Sequence, residues 1–293
     1  MRPYMPGLAI SAISISLLTA LPAAATPFFF STGNPDGKIA TATRPDAGGK
    51  FEIESADDFV LTGPTSITSA TFTGIFTGGA TAGDVGQVVV EIYRVFPDLS
   101  DVSRTSGPPD FSTNQVPTRV NSPSDVALDA RDSAANGLTF STATLGDFAA
   151  ANSVQPGGIN PKPGQTTGGD GPVTGTEVAF TANFTTPFNL APGHYFFVPQ
   201  VEVLGQDEEF LWLSAPKPIV APGTPFLPDL QSWTRDQFLD PDWLRIGTDI
   251  VGTGAFNATF TLAGTVPEPG SIALLAGALS AMALAGLRRR RQS

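Results

Sequence analysis

The chain is predicted to be all-β, an antiparallel two-sheet sandwich of jelly-roll-like character, and three features of its 293 residues predict this. Apolar and polar residues alternate in run after run, with β-branched and aromatic residues at the apolar positions. Clusters of Gly, Pro and Asp bound those runs, as turns between short strands require. No long amphipathic helix separates them, which disfavours a parallel α/β sheet.

The elements follow in order. Arg2 supplies a positive start, Leu8 to Leu21 is an uncharged apolar run, and Pro22 breaks it before Ala23-Ala24-Ala25. This reads as a secretory signal peptide over residues 1–25, with Ala23, Ala25 and Thr26 marking the cleavage point. The apolar run is too short to span a bilayer comfortably as a helix. The exported body is assigned to residues 26–265. Phe51-Glu-Ile-Glu-Ser alternates and continues into Asp57-Asp58-Phe59-Val60-Leu61. Ile67 to Phe76 alternates with Thr and Ser, and Gln87 to Phe96 is a β-branched run stopped by Pro97. Later strand candidates are Leu138 to Leu145, Glu177 to Phe188, Tyr195 to Leu204, Glu209 to Ser214, Trp243 to Ile250 and Ala255 to Leu262. Ser124 to Ala135 fits either a short helix capped by Ser124 or a further strand.

Two stretches are punctuation. Asn152 to Gly175, rich in Gly and Pro, reads as a long surface loop. Ser214 to Leu230 carries Pro216, Pro218, Pro222, Pro225 and Pro228, and is expected to run extended while docking Ile219, Val220, Phe226 and Leu227. Flanking strands of similar character argue for a single body, long enough to bury a sizeable core.

Charge and cysteine content narrow the function. Setting aside Arg2, Arg288 to Arg291 and Glu268 takes the net charge from −11 for the whole chain to −15 for the body. Only Lys38, Lys50, Lys162 and Lys217 are lysines, so no cationic surface can be assembled and nucleic acid is excluded as a partner. Acidity of this degree suits an exported protein and leaves room for calcium. Cysteine is absent, so the body must be held by its core alone, without disulfides.

The last 28 residues have three parts: Val266-Pro267-Glu268-Pro269, an uncharged apolar run from Ser271 to Leu287, and Arg288-Arg289-Arg290-Arg291. As a helix rising about 1.5 Å per residue, the run covers roughly 25 Å, at the short end of a transmembrane span. The arginines resist crossing and hold that end in the cytoplasm. Pro267 and Pro269 bar helix propagation and leave an extended, accessible peptide around Glu268. Over residues 266–291 this order closely resembles the PEP-CTERM sorting signal of Gram-negative bacteria. The resemblance implies an inner-membrane intermediate delivered by the export machinery. It implies next that an exosortase, a membrane-embedded cysteine transpeptidase or protease, processes the Pro-Glu-Pro region and that the cargo reaches the cell surface. It also implies association with exopolysaccharide. A plain single-pass tail anchor is the alternative.

Motifs for chemistry are sparse. His194 is the single histidine, so any Ser-His-Asp triad or histidine-ligated metal would need it; its place after Ala191-Pro-Gly193 at a strand start favours a structural role. Gly168-Gly-Asp-Gly-Pro172 lacks the Lys-Ser/Thr of a phosphate loop and reads as a turn. Asp236, Asp240, Asp242 and Asp249 gather near Arg235 and Arg245, and Asp207, Glu208 and Glu209 form a second acidic group. A carboxylate pair across a cleft would suit glycoside hydrolysis. Asp57 and Asp58, adjacent in a strand, point to opposite faces, so one is directed inward and needs a calcium ion, backbone amides or Arg94 as partner. They are the metal candidates, calcium being the cofactor considered and none being required. Asp57-Asp-Phe-Val-Leu61 and Leu190-Ala-Pro-Gly-His-Tyr-Phe-Phe197 are similar to strands of secreted bacterial β-sandwich modules, which implies fold more than activity. Trp212, between Leu211 and Leu213, reads as core, whereas Trp233 and Trp243 flank a polar stretch and are candidates for stacking on sugar rings. The expectation is a non-catalytic surface or matrix protein. A calcium-assisted glycan-binding module stands second and a carbohydrate-active hydrolase third.

Overall fold

A computed structural model describes residues 25–103, 119–128, 131–159, 166–238 and 242–267. The signal segment before Ala25, and the tail from Glu268 with its apolar run and arginines, lie outside the described residues. Among the described residues no helix is long and apolar enough to cross a membrane.

Among the described residues fifteen strands form two sheets. In chain order they are β1 (Thr26–Ser31), β2 (Ile39–Ala42), β3 (Ile53–Leu61), β4 (Thr65–Phe76), β5 (Val85–Arg94), β6 (Arg131–Ser133), β7 (Thr139–Ala150) and β8 (Asn152–Val154). There follow β9 (Val173–Leu190), β10 (Gly193–Val203), β11 (Phe210–Ala215), β12 (Trp233–Asp236), β13 (Leu244–Arg245), β14 (Asn257–Ala258) and β15 (Phe260–Val266). The larger sheet is built around β4. One edge of β4 carries β9 along its full length, with β7 beyond it. The other edge is shared, β15 pairing residues 66–72 and β11 residues 74–76. β1 closes the outside of β15, while β2 and β8 continue beyond β11. The second sheet runs β13-β12-β3-β10-β5-β6. All pairs are antiparallel except β2 with β8, so the larger sheet is mixed rather than purely antiparallel.

The main core lies between the sheets. Phe72 stacks on Phe180 of the same sheet (5.1 Å, 2°) and meets Phe197 of the other (6.3 Å). Phe197 in turn stacks on Phe260 at 4.9 Å. Period-two patterning explains the inward face of β10, where Tyr195, Phe197, Val201 and Val203 all enter this core. β11 is buried on both faces: Phe210 and Trp212 join the main core, and Leu211 and Leu213 enter a second cluster with Ile246, Ile250 and Phe256. At Gly74 a side chain would collide with the Phe210 ring and the Leu211 carbonyl at 2.3–2.6 Å, so glycine is what lets β11 close on β4.

Several expected elements change. Trp243 to Ile250 is a strand only over β13; Ile246–Val251 winds into a π-helical turn. There the Asp249 carboxylate takes the Arg245 amide (2.9 Å) and guanidinium (2.6 Å), curling the chain back on itself. Ser124 to Ala135 is not a capped helix: the Ser124 hydroxyl donates to the Val126 carbonyl, and the described end is β6 followed by a 3-10 turn at Ala134–Asn136. Asn152 to Gly175 is not all loop, since β8 opens it and β9 begins at Val173. In the proline-rich stretch Ile219 is buried and Phe226 meets Phe30 edge-on at 5.5 Å, but Val220 and Leu227 stay exposed. β6 realises the strand alternative for the end of Ser124 to Ala135, whereas β1, β2, β8 and β12 belong to segments with no sequence-predicted strand.

Phe72→Ala is expected to destabilise the body by about 3–5 kcal/mol. Thermal and urea unfolding check it, the equivalent change at exposed Phe29 serving as a near-neutral control.

Candidate functional site

β3 is the strand on which the acidic candidates sit, and it is buried on both faces. Its inward side carries Ile53, Ser55, Asp57 and Phe59, and its outward side Glu54, Ala56 and Asp58. A small apolar cluster covers the outward side of the sheet, built from Ala56, Tyr93, Phe196, Val198, Trp233 and Trp243 with Leu230 and Ala127 against it. Acids placed on such a strand cannot rely on water, so each must find its partner within the fold.

Asp57 and Asp58 find different partners. Asp57 accepts from the Ser232 hydroxyl (3.1 Å) and the Ala258 amide (2.9 Å). Asp58 accepts from the Leu230 amide (3.0 Å) and lies 2.6 Å from Nε2 of His194. Burial raises both carboxyls above the usual range, Asp57 well above it. The two therefore do not converge as one ligand pair; amides, a hydroxyl and an imidazole hold them. Arg94 is not their partner, since its guanidinium lies 4.7 Å over the Tyr195 ring. His194 works as a tether between β10 and Asp58 of β3, joined to the same ladder at Val60.

A second acidic group appears on the outward face. One oxygen each from Glu52, Glu54 and Glu91 lies within 4.8 Å of the others. Sequence reasoning missed it because β10 runs between β3 and β5, and only that pairing brings Glu91 near Glu54. Arg235 of β12 ion-pairs with Glu54, and Tyr93 donates to the same carboxylate. Arg131 ion-pairs with Glu91, and Gln200 donates to Glu52 at 2.9 Å. Arg235 also reaches Asp242 (3.5 Å), which meets Arg119 at 3.0 Å, and its guanidinium lies 4.4 Å over Trp243. Within this group the charges separate. Burial pushes Glu54 up, but the charge of Arg235 and the hydrogen bonds from Arg235 and Tyr93 together hold it below the ordinary glutamate range. Glu91 is pushed up to about 8, by burial first and the neighbouring Glu54 second. The arrangement resembles a general acid beside an ionised carboxylate, but Glu54 and Glu91 are 5% and 1% exposed, so neither faces a cleft where substrate could enter.

The remaining candidates are placed as follows. Trp233 and Trp243 are each 1% exposed, so neither ring offers a face to a sugar, and the stacking expected of them is corrected to a packing role. Their polar flanks misled because both indoles join the buried cluster on the outward side of the second sheet, that of Trp243 under Arg235 and against Tyr93 (5.6 Å). Trp212 is core, its indole donating to the Thr259 carbonyl at 2.7 Å. Of the acidic clusters, Asp249 serves Arg245 and Glu209 serves Arg44 and Lys50. Asp240 lies outside the described residues. Ala25 and Thr26 stand at the start of β1, with Ala23 outside the described residues; Val266 ends β15 and Pro267 follows it. A cavity of about 570 Å³ opens elsewhere, between the end of β9 and the β5–β6 edge.

Comparison with protein-family models, with curated proteins and with solved structures gives no match to this chain.

The charge separation implies a pH dependence. Glu91 keeps its proton in the folded state up to about pH 8, whereas an unfolded glutamate loses it near 4.5. Between those values the unfolded chain binds fewer protons, so stability falls as pH rises through that window. Glu52, Asp57, Asp58 and Glu209 are raised too and act in the same direction. Glu91→Gln is expected to remove on the order of 2 kcal/mol of that loss. Melting curves of both proteins from pH 5 to 9 check this, parallel profiles being the contrary result.

Proposed function

We propose that this chain is an exported, non-catalytic cell-surface or extracellular-matrix protein, held in the inner membrane by its tail and then processed by an exosortase. The jelly-roll-like β body is the cargo, and exopolysaccharide is its expected surrounding. One observation carries the reading. The compact unit runs from Thr26 to Pro267, and Thr26 and Val266 face each other as register partners at one end of the β1–β15 pair. The proposed signal-peptide cut lies immediately before this unit, and the Val-Pro-Glu-Pro motif begins on its last strand residue. Both processing points therefore flank the folded body at one corner. Cutting at either leaves every strand intact. Pro267 has no amide to extend the ladder, which supports an extended, protease-accessible peptide there.

The second reading, a calcium-assisted glycan-binding module, keeps support from the Glu52–Glu54–Glu91 group and loses it from the buried tryptophans. Against calcium at that group stand Arg235, which already neutralises Glu54, and the proton that Glu91 keeps up to about pH 8 and would have to release.

Intact-mass measurement of the surface-released protein is expected to give a chain beginning at Thr26 and lacking everything after the Pro-Glu-Pro region. Recovery of full-length protein in the inner membrane, with no shortened form, overturns the proposal. The melting temperature is expected to be the same in calcium and in chelator; a rise of several degrees with calcium would favour the second reading.

A further inference from the structure

The cavity beside β9 contains the one cation, among the described residues, that breaks the charge pattern of this protein. Among the described residues every lysine and every other arginine lies against an acidic side chain. Arg94 holds none, although the body carries a large excess of acid. Its guanidinium is fixed instead, lying over the Tyr195 ring at 4.7 Å and beside Gly193, where an added Cβ would stand 3.3 Å from Nη1. Arginine in an acidic chain acquires a carboxylate readily, so a preorganised guanidinium without one marks a place where an anion can come from outside.

The surrounding wall is built rather than left over. The register of β9 against β4 steps from Asn183 opposite Ser69 to Phe188 opposite Ile67, so residues 184–187 stand out of the ladder. Asp132 of β6 pins this bulge, accepting from the Thr185 amide at 2.6 Å and its hydroxyl at 3.1 Å. Phe184 stacks on Phe188 at 4.2 Å and closes the bulge from behind. Arg131, with half of its side chain exposed, also lines the cavity, together with Asn136, Thr186 and Asn189. A volume of about 570 Å³ falls within the range of small-molecule sites.

We propose that this cavity binds a carboxylate-bearing, hydroxylated ligand of sugar size, a uronic-acid residue, with its carboxylate on the Arg94 guanidinium. The fork of one unpaired guanidinium matches one carboxylate through two parallel N–H···O bonds. A dianion is disfavoured, because Asp132 lies in the wall and the whole body is strongly negative. The amide and hydroxyl side chains suit ring hydroxyls. This site is independent of how the tail is processed.

The test is calorimetric or NMR titration of the purified full-length chain with glucuronate and galacturonate, with glucose and galactose as neutral counterparts and inorganic phosphate as a competing anion. At least one uronate is expected to bind with Kd on the order of 1 mM or tighter and to lose at least tenfold at 0.5 M salt, while its neutral counterpart gives no saturation. Arg94→Gln is expected to weaken binding at least tenfold. Thr186→Trp, on the exposed rim, is expected to block the cavity without touching Arg94. Equal binding of uronate and neutral sugar, tighter binding of phosphate, undiminished binding by either variant, or no saturation by any uronate overturns the proposal.

Discussion

The structure depends on β3 being covered on both faces. Once a strand carrying Glu54, Asp57 and Asp58 is withdrawn from water, each carboxylate needs a partner supplied by another part of the chain. β12 brings Arg235, the end of the proline-rich stretch brings the Leu230 amide and Ser232, β14 brings the Ala258 amide, and β10 brings His194. These groups come from segments more than a hundred residues away. They fix how the late part of the chain lies across the second sheet, where no disulfide can do so.

The same requirement separates structural chemistry from functional chemistry here. The acidic groups that stand out in the sequence are absorbed by the fold: Asp249 curls a turn, Glu209 neutralises Arg44, and Asp58 holds His194. Even the raised carboxyl of Glu91 belongs to a closed network with Glu54, Tyr93 and Arg131. Among the described residues, the cation left without a carboxylate in this acidic molecule is Arg94. Arg94 stands at the end of β5, past the point where β6 covers that edge, and the bulge of β9 supplies a wall opposite it.

The pairing of β1 with β15 gives the molecule a further constraint. Thr26 and Val266 lie side by side, so entry to and exit from the body occur at one corner of the larger sheet. β1 is the outermost strand there, with Pro27 reducing its amide donors and Phe29 exposed. A domain with both ends at one corner can be separated from its flanking segments without disturbing the core.

The sequence by itself determined the all-β class and the approximate place of β3, β4, β5, β7, β9, β10 and β11, because alternation and β-branched content are local properties of the chain. It also identified Trp212 as core, since its neighbours on both faces are apolar. Only the tertiary structure decided the rest. The short strands β2, β8 and β12 have too few residues for a periodic signal and exist because a neighbour offers them an edge. Trp233 and Trp243 have polar neighbours in sequence, yet both are buried with Phe196 and Val198 of β10, and Trp243 is covered by Tyr93 of β5 and Arg235 of β12. The partners of Asp57 and Asp58, the approach of Glu91 to Glu54, and the solitude of Arg94 are relations between distant residues. Alternation along a strand says which face a side chain takes; which strand lies beside it is settled by the packing of the whole.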